Sequence, residues 1–150
     1  MKELARNKKA YFAYHILEKL EAGIALIGQE VKSVKSGRIS FKGAYVTIRD
    51  EEAFLRNAFI PPYQPNNAPR DYDPERSRKL LLRKEQIKYL LGKRQEKGLT
   101  IIPLRVYNKR GKIKLEIALA KGKREFDKRE KIKKRETDRK IRRAIKDFNQ

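Results

Sequence analysis

One histidine, His15, and the adjacent carboxylates of Glu51 and Glu52 are the side chains of this sequence that could support catalysis. A single histidine supplies neither a metal site nor a proton relay, and a packed or surface role is the better interpretation. Carboxylates dispersed among Lys and Arg more often form surface ion pairs than acid–base dyads. The sequence has no cysteine and no glycine-rich phosphate loop, zinc-protease motif or nucleophile elbow. We therefore expect a protein that is not an enzyme and that holds no metal ion and no cofactor.

Basic side chains dominate the composition. The formal net charge is +21, from 40 Lys and Arg against 19 Asp and Glu. The cations concentrate in four clusters, at residues 6–14, 29–38, 76–84 and 121–150. Mixed charge would serve solubility better, so this excess indicates a polyanionic partner or an anionic membrane surface.

Aromatic rings lie among the cations of the first cluster. Arg6, Lys8 and Lys9 stand beside Tyr11, Phe12 and Tyr14. Such rings could stack on splayed bases, or could equally pack in a protein core. The N-terminus has no apolar signal-peptide region, and no stretch is long enough to span a bilayer. We therefore expect an RNA-binding, cytoplasmic protein with no membrane partner.

The first half of the chain reads as strands around one short helix. Residues 14–27 alternate around Gly23, which favours strands with a kink or bulge there, although a helix is a serious alternative. Residues 29–38 predict a short helix closed by Gly37, with Lys32, Lys35 and Arg38 on one side. Residues 44–60 predict a hairpin that turns at Glu51–Glu52.

The second half begins with a proline-rich stretch, residues 61–76, which predicts an irregular exposed loop. Ile87, Leu90 and Leu91 have helical spacing, and Gly98 lies beyond the helix. Residues 99–107 and 112–120 predict two strands joined by the turn "NKRG". With no βαβ rhythm, the pattern favours a small antiparallel β-barrel with helical inserts over residues 1–120.

Residues 121–150 form a second region, a basic hinge and tail. They carry 14 basic and 6 acidic side chains. Ile141, Ala144, Ile145 and Phe148 have the i, i+3, i+4, i+7 spacing of a narrow apolar helix stripe. A segment this charged buries little, so in isolation we expect disorder or a fraying helix, and order against RNA.

Four stretches together resemble the SsrA-binding protein family (small protein B), the bacterial partner of transfer-messenger RNA. They are "NKKA" at 7–10, "EAGIALIGQEVKSVKSGR" at 21–38, "RKLLLRKEQI" at 78–87 and "ALAKGKREFDKRE" at 118–130. The resemblance implies a fold like the oligonucleotide-binding (OB) barrel, mainly β with added helices. It implies binding to the tRNA-like domain of transfer-messenger RNA, and delivery with elongation factor Tu to stalled ribosomes. It further implies a monomer whose tail folds as a helix in the empty mRNA channel, near the decoding region and mainly against ribosomal RNA.

The resemblance also assigns residues. Asn7, Glu21, Leu81 and Lys114 match body positions linked with the RNA-binding surface. We add to that surface the nearby cations and one ring of the basic clusters: Lys8, Lys9, Tyr14, Lys32, Lys35, Arg78 and Lys79. Glu21 could accept from base or ribose donors, hold a neighbouring Lys, or form a plain surface ion pair.

The tail residues follow in the same way. Gly122 would permit a change of direction between barrel and tail. The matching hinge and tail positions are Gly122, Lys123, Asp127, Lys128 and Arg129, to which we add Phe126, Ile141 and Ile145. Many relatives have His in place of Phe12, and some in place of Phe126. Stacking survives that change, but the charge and hydrogen bonds of an imidazole do not.

A ribosomal protein or general RNA chaperone is the alternative, because it would share the charge and the tail. Such a protein would not need "EAGIALIGQEVKSVKSGR" at 21–38 and "RKLLLRKEQI" at 78–87 in one sequence. A nuclease on a similar barrel would need clustered carboxylates to hold metal, and the sequence supplies none convincingly.

Overall fold

The computed structural model describes residues 1–123, Arg135 and residues 139–143. Seven strands and three helices form within the first of these ranges. The strands are β1 (Lys2–Arg6), β2 (Tyr14–Ile24), β3 (Tyr45–Arg49), β4 (Glu52–Arg56), β5 (Arg78–Leu81), β6 (Leu99–Lys109) and β7 (Lys112–Gly122). The helices are α1 (Ala10–Ala13), α2 (Gly28–Lys35) and α3 (Lys84–Arg94), with a short 3₁₀ turn at Pro65–Asn67.

The described strands make one antiparallel sheet with the order β1-β6-β7-β2-β5-β4-β3. The sheet curls until β3 contacts β6, while β1 continues the sheet beyond β6. This mainly antiparallel architecture with a few helices confirms the predicted fold class. It also confirms strands rather than a helix at the start of the 14–27 segment.

Period-two alternation explains the main core. In β7, Leu115, Ile117 and Leu119 point into the barrel and are buried. Ala118 and Ala120 are buried as well, because they belong to a second, smaller cluster on the opposite face. That cluster is covered by Ala10 of α1. The end of β7 is therefore packed on both faces, which is why its alternation fades into a run of small apolar residues.

Two tight turns join the hairpins. Asp50 and Glu51 have positive φ values of 51° and 64°, and Arg110 and Gly111 have values of 52° and 79°. Two consecutive residues with positive φ are typical of two-residue hairpin turns, whose twist matches that of the strands. The first turn lies one residue before the predicted position.

Two details of β2 differ from the expectation. The register shift lies between Ile16 and Glu18, so the bulge is at Leu17 and not at Gly23. Gly23 has another role, because a Cβ placed there would lie 3.0 Å from the Cβ of Leu81. The glycine therefore permits the close approach of β5 to β2. Strands β1 and β5, of 5 and 4 residues, were not predicted from the sequence.

A buried ion pair ties α2 to β5. Glu30 and Arg78 are both 0% exposed. Arg78 donates from Nε and Nη2 to Oε2 of Glu30, at 2.8 and 2.6 Å. Glu30 also accepts from Arg76, from the Tyr72 hydroxyl and from the backbone N–H of Ile27. These hydrogen bonds satisfy both oxygens of the carboxylate, and a buried charge requires such partners.

This geometry corrects one predicted site residue. Arg78 was expected on the RNA-binding surface, but its guanidinium is inside the protein. Beyond Glu30, it donates to the backbone carbonyls of Ala58 and Pro74. The residue is therefore a structural anchor and not an RNA contact.

We expect Glu30→Gln to lower the free energy of unfolding by about 3–5 kcal/mol at pH 7, because two guanidinium groups lose a buried carboxylate partner. Burial alone would raise the pKa of Glu30, but the hydrogen bonds from Arg76, Ile27 and Arg78 outweigh it and lower that pKa. The ionised form therefore stabilises the fold above the pKa of the unfolded carboxyl, and this contribution is lost as pH falls through the folded pKa. Urea unfolding at pH 7 and in acid should show the gap between wild type and variant narrowing in acid.

The matched control is Glu52→Gln, which removes an exposed ion pair with Lys79. We expect a change below about 1 kcal/mol there. Equal stability of Glu30→Gln and wild type at pH 7 would contradict the anchoring role.

Candidate nucleic-acid interface

A groove between the end of β2, helix α2 and the β6–β7 turn brings together three of the predicted RNA-binding residues. Its volume is about 340 Å³, and its lining includes Lys35, Leu81 and Lys114. Gly23 is at its centre, paired with Leu81 on one side and Lys114 on the other. We call this site the sheet groove. Its three predicted residues come from α2, β5 and β7, which are far apart in sequence.

Strand alternation places Leu81 on the outside. Arg78 and Leu80 of β5 point inward and are buried, so Lys79 and Leu81 point outward. Leu81 is 57% exposed. The ammonium groups of Lys35 and Lys114 can contact phosphates, and the isobutyl group of Leu81 offers an apolar surface to a ribose or base.

Glu21 lies in the next row of the same face, opposite Glu116 of β7. The hydroxyl of Tyr107 donates to its carboxylate, and Nζ of Lys109 lies 3.3 Å away. The Tyr107 hydrogen bond is the main cause that lowers the pKa of Glu21, with Lys109 and the charge of Lys114 adding to it against partial desolvation. Burial and the Glu21 carboxylate raise the pKa of Tyr107. The ion pair with Lys109 fits two of the three interpretations of Glu21, holding a neighbouring Lys and a plain surface pair, and a contact of Glu21 with RNA stays a prediction.

A second site lies at the opposite end of β2. A cavity of about 340 Å³ is lined by three predicted residues, Asn7, Lys9 and Tyr14, and also by Lys42 and Tyr45. We call it the N-terminal cavity. Nδ2 of Asn7 donates to the carbonyl of Pro103 at 2.8 Å, and its backbone N–H donates to Leu104 at 2.7 Å. Asn7 therefore fixes the start of α1 against β6.

Lys42 and Tyr45 were missed by the sequence analysis. Neither belongs to a basic or aromatic cluster along the chain, and only the fold brings them to Tyr14. The other predicted cations that are exposed line neither the sheet groove nor the N-terminal cavity. Lys8 and Lys32 are exposed, and Lys79 is exposed but pairs with Glu52 at 3.2 Å.

The hinge begins beside the N-terminal cavity. Gly122 is the last residue of β7 and pairs with Tyr14. Lys123 donates its backbone N–H to Ala13 at 3.0 Å and its Nζ to the carbonyl of Tyr11 at 3.1 Å. Gly122 has no positive φ, and the chain beyond Lys123 lies outside the described residues up to Arg135, so the hinge role of Gly122 stays a prediction.

Few of the predicted tail residues can be placed. Ile141 is in a helical stretch, residues 139–143, and is 53% exposed. Phe126, Asp127, Lys128, Arg129 and Ile145 lie outside the described residues.

Over the part of the chain that the structure describes, no three His, Cys, Asp or Glu side chains form a group that could hold a metal ion. Among the described helices, none is long and apolar enough to cross a membrane.

The chain is similar to known proteins over nearly its whole length. A family model described as SmpB protein matches residues 4–147. The chain belongs to the SmpB family. An SsrA-binding protein of Sulfurihydrogenibium sp. (strain YO3AOP1) is 54% identical over 97% of this chain and 95% of its own length. Another, of Trichodesmium erythraeum (strain IMS101), is 48% identical over 98% of this chain and 94% of its own length.

A solved structure is also similar. It concerns tmRNA-SmpB and the center of the bacterial ribosome, and its matching chain has a TM-score of 0.68 and 44% sequence identity. The match covers 85% of this chain and 92% of the other. Membership of the SmpB family confirms the predicted family, and confirms a binding protein rather than an enzyme.

We expect Tyr107→Phe to raise the pKa of Glu21, because the substitution removes the hydrogen bond that contributes most to lowering it. Titration of the Glu21 side-chain carboxyl by NMR measures the change directly. Tyr45→Phe is the control, since Tyr45 is an exposed tyrosine that makes no bond to Glu21. An unshifted Glu21 titration in Tyr107→Phe would show that the hydrogen bond does not form in solution.

Proposed function

We propose that this protein binds the tRNA-like domain of transfer-messenger RNA and accompanies it to stalled ribosomes in trans-translation. The observation that carries the proposal is the sheet groove, which joins Lys35, Leu81 and Lys114 from three separate elements. The family supports it, since similar proteins are SsrA-binding proteins and a similar solved chain is the SmpB of tmRNA-SmpB.

The charges of the groove suit a folded RNA. Lys35, Lys112 and Lys114 line it, and in the described part of the chain none of them has a carboxylate within ion-pair distance. Unpaired ammonium groups at fixed positions favour phosphate contacts, which orient an RNA without reading its sequence. Leu81 between them adds apolar contact area. Recognition by shape is the expected mode for a structured RNA.

The sheet groove and the N-terminal cavity contact two different RNAs. The sheet groove contains Gly23 and the N-terminal cavity contains Tyr14, so β2 separates them by up to roughly 30 Å at 3.3 Å per residue. Gly122, the last residue of β7, pairs with Tyr14, so the tail begins beside the N-terminal cavity. The groove end therefore holds transfer-messenger RNA, and the cavity end faces the decoding region of the ribosome.

The tail supplies the ribosomal contact. Residues 121–150 fold as a helix in the empty mRNA channel, where ribosomal RNA phosphates neutralise their cations. In this scheme the chain acts as a monomer in the cytoplasm, and it helps elongation factor Tu deliver the charged RNA. The barrel at 1–120 and the tail then have separate tasks.

Titration of labelled transfer-messenger RNA against an elongator tRNA, at several salt concentrations, tests the proposal. We expect tighter binding of transfer-messenger RNA at each salt concentration. Equal affinity for both RNAs, with only a steep salt dependence, would instead support a general RNA chaperone.

Lys114 and Lys32 should each contact a phosphate. We therefore expect Lys114→Ala or Lys32→Ala to flatten the slope of log K against log salt by roughly 0.7–0.9 per lost contact. Arg49→Ala is the control, because Arg49 is highly exposed at the β3–β4 hairpin beside Asp50. An unchanged slope in either lysine variant would remove that residue from the interface.

Removal of residues 131–150 should separate the two tasks. Binding to the isolated tRNA-like domain should stay within about tenfold, or ~1.4 kcal/mol, because the groove is intact. Peptide tagging on stalled ribosomes should be abolished, because the tail is absent from the channel. Tagging by the truncated protein would show that the tail assignment is wrong, and circular dichroism of the truncated barrel checks its folding.

A further inference from the structure

An exposed aromatic platform lies beyond the C-terminal end of α2. We use this name for Arg38, Ser40, Phe59 and Tyr63, none of which lines the groove or the cavity. An antiparallel bridge joins Ser40 to Phe59, with both backbone hydrogen bonds at 2.9 Å. The next residue in each segment is buried, so Ser40 and Phe59 face outward. Phe59 is 41% exposed and Tyr63 is 39% exposed.

The backbone that carries Phe59 is held firmly. Its neighbours on both sides bond to side chains or backbone of other elements. The carbonyl of Ala58 accepts from Arg78 at 2.6 Å, that of Ile60 accepts from Tyr72 at 2.7 Å, that of Pro61 accepts from Ser33, and the N–H of Ile60 donates to Pro74 at 2.9 Å. An exposed ring on such a backbone loses little freedom when a ligand binds it.

The charge around the platform favours an anion. The central guanidinium carbon of Arg38 lies 6.0 Å from the ring centroid of Tyr63. Arg38 has no ion-pair partner within the described residues. Such a pair can bind a nucleotide at two points, because the exposed ring can stack on the base and the guanidinium can attract the phosphate.

A second exposed tyrosine, Tyr89, also lies beside a cation, but carboxylates neutralise that pair. Nζ of Lys93 also lies 6.0 Å from the ring centroid of Tyr89, and Tyr89 is 42% exposed. Its hydroxyl, however, bonds to Glu18, and Lys93 pairs with Glu96 at 3.2 Å. Carboxylates neutralise this pair and would repel a phosphate.

We propose that the platform stacks an unpaired base of transfer-messenger RNA, with a neighbouring phosphate at Arg38. The inference rests on the proposed function. Lys35 lines the sheet groove and Arg38 follows it by three residues, so one RNA held in the groove can reach both. The base is unpaired because a paired base inside a helix has no free face. Stacking is tolerant of base identity, so the contact adds affinity and register rather than sequence specificity.

Affinity of the full chain for transfer-messenger RNA, measured by fluorescence anisotropy at several salt concentrations, tests the platform. Tyr63→Ala and Phe59→Ala should each weaken binding about tenfold, because a stacking surface is lost. Tyr63→Phe should bind within about twofold of wild type, since the ring remains. Tyr63→Ala should leave the salt slope unchanged, whereas Arg38→Gln should flatten it by about 0.9 for one lost phosphate contact.

Tyr89→Ala is the matched control and should bind like wild type. Full affinity of both Tyr63→Ala and Phe59→Ala overturns the platform but leaves the proposed function intact. A wild-type chain that does not prefer transfer-messenger RNA to elongator tRNA overturns the proposed function instead. Equal losses in Tyr63→Ala and Tyr89→Ala, or a loss seen only with isolated small ribosomal subunits, also overturn the platform's assignment to this RNA. Thermal melting confirms that each variant is folded.

Discussion

The buried ion pair between Glu30 and Arg78 is the interaction on which the proposed RNA-binding surface depends. Glu30 orients α2, which brings Lys35 to the groove. Arg78 fixes which residues of β5 point inward, and period-two alternation then forces Leu81 outward. A slip of β5 by one residue would bury Lys79 and Leu81 and expose Leu80. The buried ion pair thus positions two of the residues that line the sheet groove, Lys35 and Leu81.

Such a pair contributes specificity more clearly than stability. Replacing a buried ion pair by apolar residues is often neutral, whereas removing one partner is costly. Here the hydrogen bonds are numerous and directional, because the Glu30 carboxylate accepts from Arg76, Arg78, the Tyr72 hydroxyl and the N–H of Ile27. Apolar packing of similar volume would tolerate several positions of the 58–77 segment. The directional bonds hold the carbonyls of Ala58 and Ile60, on either side of Phe59, to Arg78 and Tyr72.

The regular parts of the fold were predictable because their patterns are local. Alternation in β7, the helical spacing of Ile87 and Leu90, and Gly37 at the end of α2 each depend on a few neighbouring residues. Arg78 was misassigned because a basic cluster does not reveal which cation points inward. One signal was available: Arg78 and Leu80 have the same parity in a short apolar stretch. Its partner Glu30 is 48 residues away, and no local pattern joins them. The N-terminal cavity was only half predictable for the same reason, since Lys42 and Tyr45 reach Tyr14 through the closure of the barrel.

The charge of the barrel bears on the proposed role of residues 121–150. Residues 1–120 carry 26 basic and 13 acidic side chains, a net charge of +13, and within the described residues several groove lysines have no carboxylate partner, so the barrel repels a basic segment at low salt. The apolar stripe of the tail is too narrow to overcome that repulsion by burial on the barrel. A polyanion changes the balance, because its phosphates attract the barrel and the tail at once and remove the repulsion between them. Under the proposed function, the tail therefore needs a dense phosphate surface beside the N-terminal cavity, which ribosomal RNA would supply.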